Sequence, residues 1–330
     1  MKLDWPIEIV GTGLGVPSNV VTNADWEKKL DTSDDWIVQR TGIRQRRIAT
    51  PGESTLTFAT AAARQAIQNA DLSAADIDLI VNATITPEHV LPSTACELQA
   101  ALGCRSIPAY DLVAACSGFV FALVNAAQNV QNGLARHALV LGAETMTSMV
   151  DLEDRATAVL FGDGAGAAVI RAAATSEQRL IGAIMGVDGT RAKTLWVPAG
   201  GSAEPASTRT LNERLHAVRM QGREVYKFAV TRMHELIDET LDECGVALDD
   251  VDLIIPHQSN LRIIESACRK LGVKDDRVLI NIDRYANTSA ASIPIGLHEA
   301  RRDGRIHSGD LVLFVAFGAG LSWGSALLRM

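Results

Sequence analysis

The chain has 330 residues, 47% of them hydrophobic and 21% charged, with a formal net charge of −8. That size allows two domains or one large duplicated fold with a substantial core. The acidic balance gives no support for a nucleic-acid partner, which calls for a basic face, and no run of about 18 apolar residues exists to span a membrane.

The N-terminal Met-Lys-Leu-Asp-Trp-Pro lacks the apolar core and cleavage site of a signal peptide. A predicted strand over 7–10 runs into Gly11-Thr-Gly-Leu-Gly. A dinucleotide-binding fingerprint would place its third glycine where Val16 stands, and Pro17 and Ser18 follow instead of a helix start. A helical segment over about 57–70 leads to Ala75-Asp-Ile-Asp-Leu-Ile-Val-Asn-Ala, which ends as a short apolar strand. Next, Tyr110-Asp-Leu-Val-Ala-Ala gives way at Cys116 to a helix from about 117 to 133, apolar on all sides at Phe119, Val120, Phe121, Leu123 and Val124. Such a helix is buried, which places Cys116 deep between sheets at the bottom of a tunnel. A strand over 138–143 follows. Phe161-Gly-Asp-Gly-Ala-Gly has no Gly-Lys-Ser/Thr ending, so it reads as a tight turn into a strand over 167–170, with glycines supplying positive φ.

The second half repeats this plan. A helix over 224–244 precedes Asp249-Asp-Val-Asp-Leu-Ile-Ile-Pro-His, so that Asp78 and Asp252 correspond at an offset of 174 residues. The segment 110–117 matches 281–288 at an offset near 171, and the strand 138–143 matches 311–316. Such self-similarity argues for duplication. Short apolar strands alternating with helices give an α/β class with buried, mostly parallel sheets. The boundary falls near residue 172, giving halves of 1–172 and 173–330.

Five cysteines (96, 104, 116, 244, 268) form an odd set with no CxxC spacing, which fits a reducing cytoplasm better than a disulfide framework or a zinc site. Neither an HExxH nor an EF-hand pattern is present, so no metal site is expected. Cys116 stands out because a helix N-terminus favours the thiolate, and its neighbours Ala114, Ala115, Ser117 and Gly118 leave room for a substrate. A small buried hydrophobe is the alternative reading. His137, His216, His234, His298 and His307 sit in polar or helical contexts and read as surface residues, and His89 lies in a proline-flanked loop. His257 instead ends a strand, where sites form in α/β folds, although a core histidine bonded to a carbonyl is the competing reading. Asn287, in Arg284-Tyr-Ala-Asn-Thr-Ser-Ala-Ala-Ser, stands by the duplication where Cys116 stands in the first half. It either caps a helix or reaches into a site. The glycine loop after Phe317 offers backbone N–H groups for an oxyanion.

Asp31-Thr-Ser-Asp-Asp-Trp-Ile, Ala115-Cys-Ser-Gly-Phe, Phe161-Gly-Asp-Gly-Ala-Gly, His257-Gln-Ser-Asn, Asn287-Thr-Ser-Ala-Ala-Ser and Leu321-Ser-Trp-Gly-Ser, in this order, closely resemble the β-ketoacyl-acyl-carrier-protein synthase III family along the whole chain. The resemblance implies a thiolase-like αβαβα sandwich of two pseudo-repeated halves. It also implies a decarboxylative condensation of a short acyl-CoA, acetyl by default, with malonyl-acyl-carrier protein, which initiates fatty-acid synthesis. Cys116 would carry the acyl group as a thioester, and His257 and Asn287 would bond the enolate oxygen. The backbone N–H groups of Cys116 and Ala319 would form the oxyanion hole, with alanine where the family commonly has glycine. Trp36 and Arg155 would sandwich the adenine of coenzyme A, with Thr32, Arg40, Gly222 and Asn260 as further contacts.

For the acidic carrier protein the resemblance implies a docking patch at Lys227, Gln258, Ser259, Asn260, Leu261, Arg262, Arg269 and Lys270, with Glu265 amid it. Phe161 would line the acyl pocket together with a residue from the partner subunit near Leu91. Many acetyl-preferring members carry phenylalanine at that position, so Leu91 suggests a roomier pocket. A cytoplasmic homodimer is implied, with coenzyme A thioester as substrate and no permanently bound cofactor. A degradative thiolase would need a second cysteine in Gly318-Ala-Gly-Leu, and elongating synthases use a second histidine where Asn287 stands. A relative acylating other acceptors and a non-catalytic acyl-CoA-binding scaffold are the alternatives; the intact Cys, His and Asn set argues against the scaffold.

Overall fold

The computed structural model describes residues 1–175 and 177–330. In chain order, its two large sheets and their covering helices are β1 (Lys2–Trp5), β2 (Ile7–Gly15), α1 (Thr55–Asn69), β3 (Leu79–Ala83), α2 (Thr94–Leu102), β4 (Ala109–Leu112), α3 (Gly118–Gln131), β5 (His137–Thr145) and β6 (Asp163–Ala172). The second set is β7 (Arg179–Val187), α4 (Gly222–Cys244), β8 (Leu253–Pro256), α5 (Leu261–Leu271), α6 (Ser292–Arg302), β9 (Leu311–Gly318) and β10 (Ser322–Arg329).

Strand alternation divides the core into layers. Along β5, Leu139, Leu141 and Ala143 pack outward with Phe58 and Ala62 of α1 and Leu98 of α2, while Ala138 and Val140 face α3. Along β9, Leu313, Val315 and Phe317 pack outward with Met233 and Leu236 of α4 and Ile263 of α5. Val312, Phe314 and Ala316 face inward, and Phe314 meets Phe119 of α3 edge-on at 6.3 Å between ring centroids. Helices α3 and α6 therefore lie between the sheets, giving five layers, α/β/α/β/α. The all-apolar pattern of α3 reflects this central position.

The sheets run in the orders β2-β6-β5-β3-β4 and β1-β7-β10-β9-β8. They are mixed rather than mostly parallel. In the first, β3 is parallel to β4 and β5, whereas β6 is antiparallel to β5 and β2. In the second only β8 and β9 are parallel. Hairpins such as β9–β10 need no crossover helix, and two-period strand patterns do not distinguish them from parallel pairs. Strand β1, first in the chain, belongs to the second sheet through its pairing with β7.

The glycines serve close approach more than turning. A Cβ on Gly11, Gly13 or Gly15 would lie 2.2, 2.0 or 2.1 Å from the carbonyl oxygens of Ala66, Ala62 and Phe58. Thus the stretch read as a loop continues β2, and its alternate glycines let α1 lie directly on the strand. Similarly, Gly162 and Gly166 belong to the approach and body of β6, not to a tight turn into a strand over 167–170. A Cβ on Gly166 would lie 2.5 Å from the backbone of Pro294 and Ile295 in α6.

The repeat is sharper in backbone than in sequence. The 3₁₀ turns Ala115–Ser117 and Ser289–Ala291 precede α3 and α6 at a common offset of 174. Ala115 and Ser289 both take left-handed φ values, +48° and +51°. Ala290 is therefore the counterpart of Cys116, and Asn287 lies three residues before it; the offset of 171 is corrected. No helix among the described residues is long and apolar enough to cross a membrane.

Candidate active site

Cys116 sits buried in the 3₁₀ turn before α3, held between its left-handed neighbour Ala115 and the end of β9. A Cβ on Gly318 would lie 2.7 Å from the backbone nitrogen of Cys116, so only glycine permits that approach. Two cavities meet at the sulfur. One, of about 480 Å³, is lined by apolar side chains including Ile85, Val113, Phe121, Met146 and Trp196. The other, of about 120 Å³, is lined by His257, Asn287, Gly222, Tyr226 and Asn260. Cys116, Phe161 and Leu195 border both, so the thiol stands at a junction of two chambers, not at the bottom of one tunnel.

His257 follows the end of β8, and its N–H donates to the Val315 carbonyl of β9 at 2.8 Å. Its Nδ1 lies 2.7 Å from the Ser292 hydroxyl, which leaves Nε2 for the cavity. Ser292 donates its one proton to the Ser289 carbonyl at 2.6 Å, so Nδ1–H donates to the Ser292 oxygen and a turn of that hydroxyl would reverse the imidazole tautomer. Burial pushes His257 down to about 3, so the ring is neutral at physiological pH. Asn287 is fixed by a bridge to Phe161, with the Gly162 amide donating to its carbonyl and its own amide to Leu160, both at 3.0 Å. Its Oδ1 accepts from the Ser289 amide at 2.8 Å, leaving the Nδ2 donors for the cavity. It thus makes a local turn bond and lines the site as well.

Burial opposes the helix start, which favours the thiolate. Burial pushes the Cys116 thiol up to about 12, with the neighbouring Ser289 hydroxyl acting in the opposite direction. A rise from 9.0 corresponds to roughly 4 kcal/mol against ionisation, more than the up to about 2 kcal/mol that a helix terminus supplies. Ala319 lines the larger cavity beside Cys116. The left-handed turn falls on Gly320, at φ +95°, and Ala319 is not left-handed, so alanine is accommodated there without backbone strain.

The remaining candidates divide. Gly222 and Asn260 border the smaller chamber. Trp36, Arg40 and Arg155 form a neighbouring cluster, with the Arg155 and Arg40 guanidinium carbons 5.0 and 5.8 Å from the Trp36 ring centre. Arg155 rests directly on the indole, so a purine enters that stack only by moving it. Asn260 links the cluster to the chamber, donating to the Arg40 carbonyl at 2.9 Å while its Oδ1 caps α5 at the Arg262 amide. Thr32 Oγ1 and Ser259 Oγ are without partners among the described residues, and Ser259 borders the smaller chamber. Lys227, Arg262, Arg269 and Lys270 are exposed on the paired helices α4 and α5.

Three expectations are corrected. Gln258 is buried, donating to the Pro256 and Leu279 carbonyls and accepting from the amides of Asn281 and Ile282, so it braces the chain and offers nothing to a docking protein. Leu261 is half-buried against Gly42. His298, read as a surface residue, is buried with Nδ1 3.1 Å from Thr12 Oγ1. Of the two acyl-pocket residues, Phe161 lines the larger cavity, whereas Leu91 is exposed and borders neither chamber of its own chain. Sequence reasoning missed Glu144, Ser289 and Ser292. The signal for Glu144 was a carboxylate ending the apolar run of β5, where a charge needs bonded partners.

A buried thiol between a large apolar chamber and a smaller one that carries His257 and Asn287, in a five-layer sandwich of two similarly built sheets, fits a condensing enzyme of the thiolase fold. The 3-oxoacyl-[acyl-carrier-protein] synthase III family model matches residues 110–189, and the model of that family's C-terminal region matches 241–330. A β-ketoacyl-[acyl-carrier-protein] synthase III of Caldanaerobacter subterraneus is 49% identical over 321 residues, covering 97% of each chain. One of Symbiobacterium thermophilum is 48% identical over 325 residues, covering 98% of each. The crystal structure of the Aquifex aeolicus synthase III superposes with a TM-score of 0.90 at 45% identity, over 98% of this chain and all of that one (100%). The chain belongs to the β-ketoacyl-acyl-carrier-protein synthase III family, an acyltransferase-type condensing enzyme.

Proposed function

We propose that the protein starts fatty-acid chains by condensing a short acyl group from coenzyme A with malonyl-acyl-carrier protein, releasing CoA and carbon dioxide. The observation that carries this reading is the meeting of the two chambers at Cys116. The acyl chain occupies the apolar chamber, and the thioester arm enters through the chamber bordered by His257 and Asn287. Cys116 attacks the thioester carbonyl, and the backbone N–H groups of Cys116 and Ala319 receive the oxyanion. Malonyl-carrier protein then takes the place of coenzyme A. The Asn287 amide and His257 Nε2–H donate to its thioester oxygen as carbon dioxide leaves and enolate charge develops. The ring is neutral, and for Nε2–H to donate, the Ser292 proton turns from the Ser289 carbonyl, which it meets at 2.6 Å, to Nδ1. Arg155 swings from Trp36 to admit adenine, with Thr32, Arg40, Gly222 and Asn260 around the cofactor arm. Lys227, Arg262, Arg269 and Lys270 meet the acidic carrier protein through charge complementarity.

The protein acts as a cytoplasmic homodimer without a permanently bound cofactor. An exposed apolar surface at Val90 (99%), Leu91 (86%) and Val113 (77%) lies beside the sheet edge formed by β4, and a second copy covers it. Acetyl is the default starter. A chamber of about 480 Å³ exceeds the needs of a methyl group, which fills about one water's share of roughly 30 Å³, so longer or branched starters also enter. A similar priming β-ketosynthase of the R1128 polyketide pathway, 35% identical, supports a second reading in a specialised pathway. Labelling with radioactive acetyl-, isobutyryl- and hexanoyl-CoA tests the assignment. Wild type should be acylated at Cys116 and Cys116→Ala should take up no label; label or product from that variant removes the nucleophile. If acetyl is the poorest starter, the default is wrong. Comparing malonyl-carrier protein with other acceptors separates the two pathways.

A further inference from the structure

Glu144, fully buried near the end of β5, takes part in none of the steps above. Its two oxygens are used very differently. Oε2 accepts from the hydroxyls of Thr84 (3.1 Å) and Thr86 (2.5 Å) and from the amides of Ile85 (3.0 Å) and Thr86 (3.1 Å), which saturates it. Among the described residues Oε1 accepts only from the Ser289 hydroxyl, at 3.1 Å. On its other side the Ser289–Ala291 turn packs against the Ala115–Ser117 turn that carries Cys116, which makes the hydroxyl a neighbour of the thiol. Ser289 is over-determined: its left-handed φ of +51°, its amide on Asn287 and its carbonyl under Ser292 fix the backbone from which the hydroxyl reaches Glu144.

From this geometry we infer that Glu144, acting through the Ser289 hydroxyl, removes the Cys116 proton for acyl transfer and returns it when condensation releases the sulfur. The inference rests on the acyl-transfer reading above. In the first half-reaction the S–H bond of Cys116 breaks, its proton passes to Ser289 Oγ, and the proton of Ser289 passes to Glu144 Oε1. The freed electron pair forms the new C–S bond, and the tetrahedral intermediate collapses by expelling coenzyme A as a thiolate, which takes a proton from water. In the second half-reaction the malonyl-derived carbanion attacks the acyl carbon and expels the Cys116 thiolate. The stored proton then travels back from Glu144 through Ser289 to sulfur. One proton is consumed from solvent per turnover, and the enclosed junction holds a neutral carboxylic acid while the thioester waits.

The alternative base is His257, on the other side of the junction. Burial holds that imidazole near 3, whereas burial lifts Glu144 to about 7, so the carboxylate is the stronger base. Cys116 is the titratable group facing Glu144. Asp163, on the adjacent β6, is turned to the Ala49 and Thr147 amides, and Asp111, on β4, to Asn82, Thr94 and Ala95.

The test is the rate of Cys116 acylation by radiolabelled acetyl-CoA across pH in wild type, Glu144→Gln and Ser289→Gly. The Gln side chain preserves shape and one acceptor oxygen; glycine suits the left-handed φ while removing the hydroxyl. The wild-type rate should rise through about pH 7 as Glu144 ionises and level off above it. Both variants should lose that rise and label on the order of 10²-fold more slowly, the lower range for general base catalysis. A purely structural carboxylate predicts the opposite sign. An ionised Glu144 repels a thiolate, so Glu144→Gln would then label as fast or faster. A wild-type rate, or an unchanged rise through pH 7, in folded Glu144→Gln overturns the relay. Should that variant not fold, the same outcomes in Ser289→Gly decide. Failure of wild type to label at Cys116 would instead remove the acyl-transfer reading itself.

Discussion

At the residue scale the site is organised around Ser289. Its amide aims Asn287, its hydroxyl donates to Glu144 beside the Cys116 turn, and its carbonyl accepts from Ser292, the partner of His257. The division of labour gives a kinetic prediction. In the proposed mechanism Asn287→Ala removes a donor to the enolate without touching the sulfur, so Cys116 should still take up acyl groups. Condensation should fall by about 10²–10³-fold, equivalent to about 2.7–4 kcal/mol for one donor in a dry site. Single-turnover acylation and steady-state product formation measure the two halves separately, and equal losses in both would contradict the assignment. Burial explains why both ring and thiol rest neutral: each would lose hydration on charging, and the nearby dipoles recover only part of it.

At the element scale, close contacts set the register of layers. Alternate glycines on β2 face Phe58, Ala62 and Ala66 on α1, matching a two-residue strand period to a four-residue helix spacing. Gly13→Ala places a methyl 2.0 Å from the Ala62 carbonyl, a backbone atom that cannot rotate away. We expect a loss of about 1–3 kcal/mol in overall stability, from overpacking. A lower urea midpoint at unchanged slope would report it, and no change would mean that α1 can lift from the sheet. Elsewhere, Gly318 lets β9 approach Cys116, linking sheet packing directly to the nucleophile's position.

For the whole molecule, the apolar chamber opens beside Val113, next to the β4 edge. An exposed strand edge with apolar neighbours is a surface that soluble proteins cover. In the proposed dimer, Val113→Asp should therefore weaken self-association and impair acyl binding together, by placing a charge at the exposed edge and at the chamber wall. Sedimentation velocity at micromolar protein should move toward monomer as the KM for acyl-CoA rises. A dimer of wild-type strength would show that the covering surface lies elsewhere.

The sequence by itself determined the residue chemistry and the coarse plan. The strand-to-helix change at Cys116, the strand-ending His257 and the repeated Asp-Leu-Ile strands are local features, carried by periodicity and side-chain type, and all fall on the expected elements. The tertiary structure alone decided what surrounds them. Whether a strand pairs parallel or antiparallel depends on partners distant in the chain, and glycines at 11, 13, 15 and 166 read as loops because the helix backbones they face are remote in sequence. The true offset of the repeat lies in left-handed φ values at Ala115 and Ser289, which their residue types do not announce. Burial is collective as well. It turned Gln258 into a brace and His298 into a core residue, opposed the ionisation of Cys116, and brought Glu144, 28 positions along the chain, onto the Ser289 hydroxyl of the turn packed beside Cys116.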